Sequence, residues 1–146
     1  MSHYTDMECS FTQTYEKEMV KSLELVFGEG NVEVHEEPSA LFGYGGDDRS
    51  KEKESSKDYA PKCHIIVRRK NVGIAANDIG YRRNEDGTYS AYVSDYDRGH
   101  TFTEKKRNSV NKEYTLSVSE RQLKSQGYIT KRITVDGKVR IRGGKY

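Results

Sequence analysis

The chain has 146 residues, the size of one domain, with 33% hydrophobic and 33% charged residues, 11 Tyr and no Trp. No apolar run approaches the roughly 20 residues of a membrane helix, so a membrane-spanning protein is not expected. The net charge is only +2, which by itself excludes a strongly basic or acidic chain.

The opening Met1–Asp6 has no basic start and no apolar stretch, so no secretory leader is expected and the expected compartment is cytoplasmic. Residues 3–11 alternate loosely and predict a first strand. Residues 13–28 predict a helix, with Met19, Val20, Leu23, Val26 and Phe27 on one face, Thr12 or Thr14 as N-cap, and Gly28 and Gly30 as the stop. Residues 31–35 predict a second strand. Pro38–Gly46 reads as irregular, with a tight turn at Gly43–Gly46. Residues 47–58 are wholly polar and predict a mobile insertion, none of which enters a core.

Cys63–Arg69 predicts a strand with Ile65 and Val67 on one face and His64, Ile66 and Arg68 on the other. Residues 78–83 and 88–94 flank Asn84-Glu85-Asp86-Gly87, a hairpin signal. Thr101-Phe102-Thr103-Glu104 matches a capping box and opens a helix to about Gln126, with Gly127 as its C-cap. Val110, Tyr114 and Val118 share one face of it, with Leu116 and Leu123 beside them. A second hairpin closes the chain, Tyr128–Thr134 against Lys138–Arg142 around Val135-Asp136-Gly137. The expected fold is one α+β domain over 1–146, a two-layer, mostly antiparallel sheet with two helices on one face.

Charge is unevenly spread. Residues 1–60 hold 6 Lys/Arg against 14 Asp/Glu, while residues 61–146 hold 19 against 9. One reading is that the two parts pack together and neutralise each other. The other is an anionic partner for the basic part.

Chemistry-bearing motifs are scarce. There is no P-loop, no GxGxxG after a strand, no HExxH and no GxSxG, and no pattern that calls for a cofactor. Cys9 and Cys63 form no CxxC pair and are expected as free thiols, with a Cys9–Cys63 disulfide as the alternative. Cys63 and His64 would point to opposite strand faces, which argues against a nucleophile–base pair. Asp95-Tyr96-Asp97-Arg98-Gly99-His100 is the densest ligand-like cluster. It reads either as a polar turn feeding the next helix or, with Asp78, Asp95, Asp97 and His100 together, as a divalent-cation site for metal-assisted hydrolysis. Arg68, Arg69, Arg82, Arg132 and Arg140 are candidates for a basic sheet face that binds nucleic acid or a nucleotide. In the last hairpin Val139 and Ile141 are expected inward, with Lys138, Arg140, Arg142 and Arg132 on the other side. The competing reading is a solvated face whose Lys and Arg guard sheet edges.

The block Ile65-Ile66-Val67-Arg68-Arg69-Lys70-Asn71-Val72-Gly73, Asn77-Asp78-Ile79-Gly80-Tyr81, Asn84-Glu85-Asp86-Gly87-Thr88-Tyr89 and Ser94-Asp95-Tyr96-Asp97 resembles a known family. It is the family of cyanobacterial and plastid proteins called hypothetical chloroplast reading frame thirty-five, with relatives in bacteria and phages. Met1-Ser2-His3 and Gln126-Gly127-Tyr128 look similar too. The resemblance supplies no activity. It implies a small accessory or adaptor protein, and the 47–58 insertion departs from the family pattern.

Arg68, Arg69, Asn77, Asp78, Asp95 and Asp97 bracket the same three predicted strands. If those strand ends converge, they form one polar, mixed-charge site. The leading expectation is therefore a non-enzymatic accessory or protein-binding domain that engages a partner protein through residues 64–98. Binding of an anionic ligand is the first alternative and a metal-assisted hydrolase the second.

Overall fold

The computed structural model describes residues 3–145. Met1 and Ser2, used above for the leader and the resemblance, lie outside the described residues. A five-stranded antiparallel sheet runs in the order β1 (Tyr4–Thr12), β5 (Thr88–Ser94), β4 (Ile79–Arg83), β3 (Cys63–Val67), β2 (Glu33–Ser39). Two longer helices, α1 (Glu16–Phe27) and α4 (Glu104–Ser125), cover one face. Two short ones, α2 (Arg69–Val72) and α3 (Asp95–His100), sit at strand ends. A separate ribbon, β6 (Ile129–Val135) with β7 (Lys138–Gly144), packs on α4. This is the expected α+β class, mostly antiparallel.

The helix-side core forms because alternate strand residues meet helical stripes. Ile65, Val67, Ile79, Tyr81, Tyr89, Ala91 and Val93 meet Met19, Leu23 and Phe27 of α1 and Val110 and Tyr114 of α4. Phe11 lies edge-on to both Tyr81 and Tyr114, at 5.5 and 4.7 Å between ring centres. The weak periodicity of α4 has a cause: Val110, Tyr114 and Val118 face the sheet, while Leu116 and Leu123 face Val139 and Ile141 of the ribbon.

The opposite sheet face is covered by the segment between β2 and β3, whose Leu41 and Ala60 pack with Tyr4, Cys63 and Ile66 of the sheet. The expectation that no residue of 47–58 enters the interior is overturned by Arg49, which is 1% exposed. Its guanidinium lies 3.3 Å from an Asp47 carboxylate oxygen, donates to the Asp58 carbonyl at 3.1 Å, and stacks over the Tyr4 ring at 5.2 Å. A planar, permanently charged fork suits such burial when carboxylates and an aromatic ring surround it. A side chain at Gly43 would come within 2.7 Å of Arg49, so the turn needs glycine there.

Both N-cap expectations fail. Residues 13–15 form a 3-10 turn, Tyr15 caps α1, and neither Thr12 nor Tyr15 makes a side-chain capping bond. Thr103, not Thr101, caps α4, and Thr101 donates instead to the Asp97 carboxylate at 2.6 Å. The two cysteines are free, and they pack against opposite clusters of the sheet. Among the described residues no helix is long and apolar enough to cross a membrane.

The uneven charge is partly neutralised within the fold. Glu33 pairs with Arg68, Glu16 with Arg83 and Glu18 with Arg121, each joining the acidic part to the basic part.

Candidate functional site

The ends of β3, β4 and β5 do converge, and two buried carboxylates organise them. Asp78, 1% exposed, accepts from the Arg69 N–H at 2.7 Å, the Phe42 N–H at 2.8 Å and the Arg68 guanidinium at 3.0 Å. It thereby ties α2 and the 42–47 turn to the start of β4. Arg68 also reaches Glu33 at 3.1 Å and donates to the Ala40 carbonyl at 2.8 Å. Burial lowers the Arg68 pKa, but the bonds to Glu33 and Asp78 outweigh it and hold the guanidinium above its usual range. Burial likewise pushes Glu33 up, while Arg68 and His35 more than offset it and leave the carboxyl below its usual range.

Asp97, 0% exposed, accepts from the Asn77 N–H at 2.9 Å, the Asn77 amide at 3.2 Å and the Ser94 hydroxyl at 2.7 Å. Ser94 caps α3 by accepting from the Asp97 N–H. The polar run 95–100, read above as a turn or a ligand cluster, is thus a short helix locked by its own first turn.

These two networks hold the loop 73–76 between α2 and β4. Its Ala75 has φ +58°, a left-handed conformation uncommon for a residue with a Cβ. Tyr96 donates to the Ile74 carbonyl at 3.3 Å. Ile74 itself is 93% exposed. An open groove beside it runs between Tyr44 and Tyr96 over Ala75 and Asn77. A second, across the 42–47 turn, is lined by Phe42, Arg68, Arg69 and Lys70. Arg69 and Lys70 are exposed, and their side chains pair with no described residue.

Four candidates thus come together as structural ties: Arg68, Asn77, Asp78 and Asp97. Arg69 contributes its backbone to Asp78 and its side chain to the surface. Asp95 stands apart, exposed, paired with Arg98 at 2.7 Å and accepting from Thr5 at 3.0 Å; those two bonds hold its carboxyl below the usual range. The cation-site reading does not assemble. Asp78 and Asp97 are each taken by other donors, His100 stacks on Tyr96 at 4.5 Å, and no group of three His, Cys, Asp or Glu among the described residues is placed to hold a metal ion.

The basic face of Arg68, Arg82, Arg132 and Arg140 is not one surface. Arg82 lies on β4 of the main sheet, donating to the Lys62 carbonyl, and Arg68 is tied to carboxylates. Arg132 and Arg140 belong to the ribbon but to its opposite faces. Arg132 pairs in register with Ile141, faces α4, and binds Glu113 at 2.7 Å and Glu120 at 2.6 Å. Those two bonds hold it well above the usual range. Arg140 pairs with Ile133 on the outer face.

Sequence reasoning missed Ile74, Tyr44, Tyr96 and Arg49. A lone Ile between Gly73 and Ala75, outside every periodic run, was the available signal for the first; a single Arg inside a Lys/Glu/Ser run was the signal for the last. What the fold shows is an α+β domain with a braced, exposed loop at one end of its sheet. No protein-family model, curated protein or solved structure matches the chain.

Proposed function

We propose that this chain is a non-enzymatic, cytoplasmic accessory domain that docks a partner protein through the loop presenting Ile74. The observation that carries the reading is exposure combined with bracing. Ile74 is 93% exposed, yet Asn77–Asp97, Tyr96–Ile74 and Arg69–Asp78 hydrogen bonds hold both ends of its loop. Isolated surface apolar residues are ordinary, but here Tyr44 at 61% and Phe42 at 37% line the adjoining grooves. Burying such side chains gains roughly 25 cal/mol per Å² of apolar surface. A loop already held in place loses little entropy on binding. Arg69 and Lys70 stand at the rim, so the fitting partner offers an apolar pocket edged by Asp or Glu. The resemblance of residues 63–98 to the plastid family implies the same kind of role.

The test places a photo-crosslinking residue at position 74 and, as control, at position 136 in the ribbon turn. A partner captured only from position 74 is then purified and its Kd measured. Ile74→Asp should weaken binding at least tenfold, and Arg69→Glu should slow association. A partner bound equally well by Ile74→Asp overturns the proposal. So does concentration-dependent dimerisation abolished by Ile74→Asp, which would make the occupant a second copy.

A further inference from the structure

The outer face of the β6–β7 ribbon lies apart from the Ile74 surface and carries a charge pattern of its own. The register pairs Lys131 with Arg142, Ile133 with Arg140 and Val135 with Lys138. Directly paired residues point to the same side, so these six share one face, and Arg132 with Ile141 shares the other. The inner face is neutralised, since Arg132 binds both Glu113 and Glu120. The outer face is not. Lys131, Lys138, Arg140 and Arg142 are exposed, and none pairs with a described residue. Asp136, in the turn, is the sole acidic residue from 128 onward. Lys131 and Arg142 even stand directly opposite, an arrangement that destabilises a ribbon in isolation and is relieved by an anion between them.

We infer that this outer face binds the phosphate backbone of duplex nucleic acid. Charge complementarity selects a polyanion. Protecting an edge from aggregation needs a Lys or two, whereas here cations occupy both strands of a face. The remaining apolar residues, Ile129, Ile133 and Val135, are shorter than the Lys and Arg around them, and among the described residues no aromatic side chain lies on this face. Without a ring to stack on, bases of a single strand find no platform. Without Trp, Phe or Leu to insert, a lipid surface finds no anchor. A two-stranded ribbon does fit the duplex major groove, about 12 Å wide. There the cations reach phosphates and the small apolar residues meet base edges.

Fluorescence anisotropy of the full chain with a labelled duplex DNA, the matching single strand, and phosphatidylserine vesicles tests this between about 50 and 200 mM salt. Four phosphate contacts give a log–log salt slope of about −3.6 on the duplex. Lys138→Ala/Arg140→Ala/Arg142→Ala should weaken duplex binding at least tenfold and reduce the slope to about −1. Lys105→Ala/Lys106→Ala/Lys112→Ala, the same charge change on α4, should leave both unaltered. Arg142→Glu should also weaken binding while placing a carboxylate opposite Lys131, so its loss does not come from an unfolded ribbon. Absence of duplex binding at the lower salt, equal losses in both triple variants, single-strand binding as tight as duplex binding, or binding to vesicles alone each overturns the inference.

Discussion

Asp97 and Asn77 are 20 residues apart in the chain, yet the Asp97 carboxylate accepts both the backbone N–H and the side-chain amide of Asn77. With Ser94 and Thr101 also donating, four hydrogen bonds converge on one buried carboxylate that fixes the Ile74 loop to α3. Asp97→Ala leaves the buried Asn77 N–H without its acceptor, and should cost about 3 kcal/mol or more. Urea unfolding measures the loss, and hydrogen exchange at residues 73–77 should rise first. An unchanged midpoint would mean the loop is braced elsewhere.

Arg68→Ala should act on stability rather than on nucleic-acid binding. It leaves Asp78, 1% exposed, without the guanidinium it pairs with, at an expected cost of about 3 to 5 kcal/mol. Duplex affinity of the folded variant should stay within a factor of two. A selective loss of duplex affinity without a change in unfolding midpoint would return Arg68 to the binding surface.

Gly80 packs where no side chain fits. A Cβ there would lie 2.7 Å from both the Cys63 sulfur and a Leu41 methyl, and 2.8 Å from the Cys63 Cβ. Gly80→Ala should therefore destabilise the sheet by about 1 to 3 kcal/mol through overpacking. Thermal unfolding followed by circular dichroism reads this directly, and a variant as stable as the parent would show that the 41–60 segment gives way.

Cys63 should be chemically silent in the native state. It is fully buried, and burial pushes its thiol up to about 12. Cys9 is half-buried, with its thiol also raised by burial. Iodoacetamide labelling followed by mass spectrometry at pH 8 should modify Cys9 slowly and Cys63 only at the rate of global unfolding. Rapid native labelling of Cys63 would contradict the packing of Leu41 and Ala60 over it.

Acid should loosen the ribbon from α4. Hydrogen bonds from Arg132 hold the Glu120 carboxyl below its ordinary value of 4.5. A carboxyl lowered on folding contributes stability that is complete above that ordinary value and lost as pH falls through the lower folded one. Glu120→Gln should therefore lower the melting temperature at pH 7 and leave it nearly unchanged at pH 3. Equal losses at both pH values would assign Glu120 a packing role instead.

Local rules made much of the fold legible. The α1 stripe of Met19, Leu23 and Phe27 and the alternation of Tyr89, Ala91 and Val93 are short-range patterns, and both are buried as read. The turns at Gly87 and at Asp136–Gly137 need positive φ, at +86°, +52° and +75°, and the Asp-Gly pairs announced them. What failed was decided between distant groups. Thr101 had a capping partner three residues on, but the Asp97 carboxylate competes for its hydroxyl and takes it. Reading a three-residue turn at 135–137 pairs Thr134 with Lys138; the true pairing is Val135 with Lys138. That single step of register moves Arg132 from the outer face to α4, because strand side chains alternate with a period of two. The sequence alone thus determined the two long helices and the hairpin strands, since periodicity and turn chemistry act over a few residues, but not the short helices α2 and α3 at the strand ends. Tertiary structure alone decided which charges are spent inside the fold and which remain outside, because burial and pairing depend on which distant carboxylates each Arg meets.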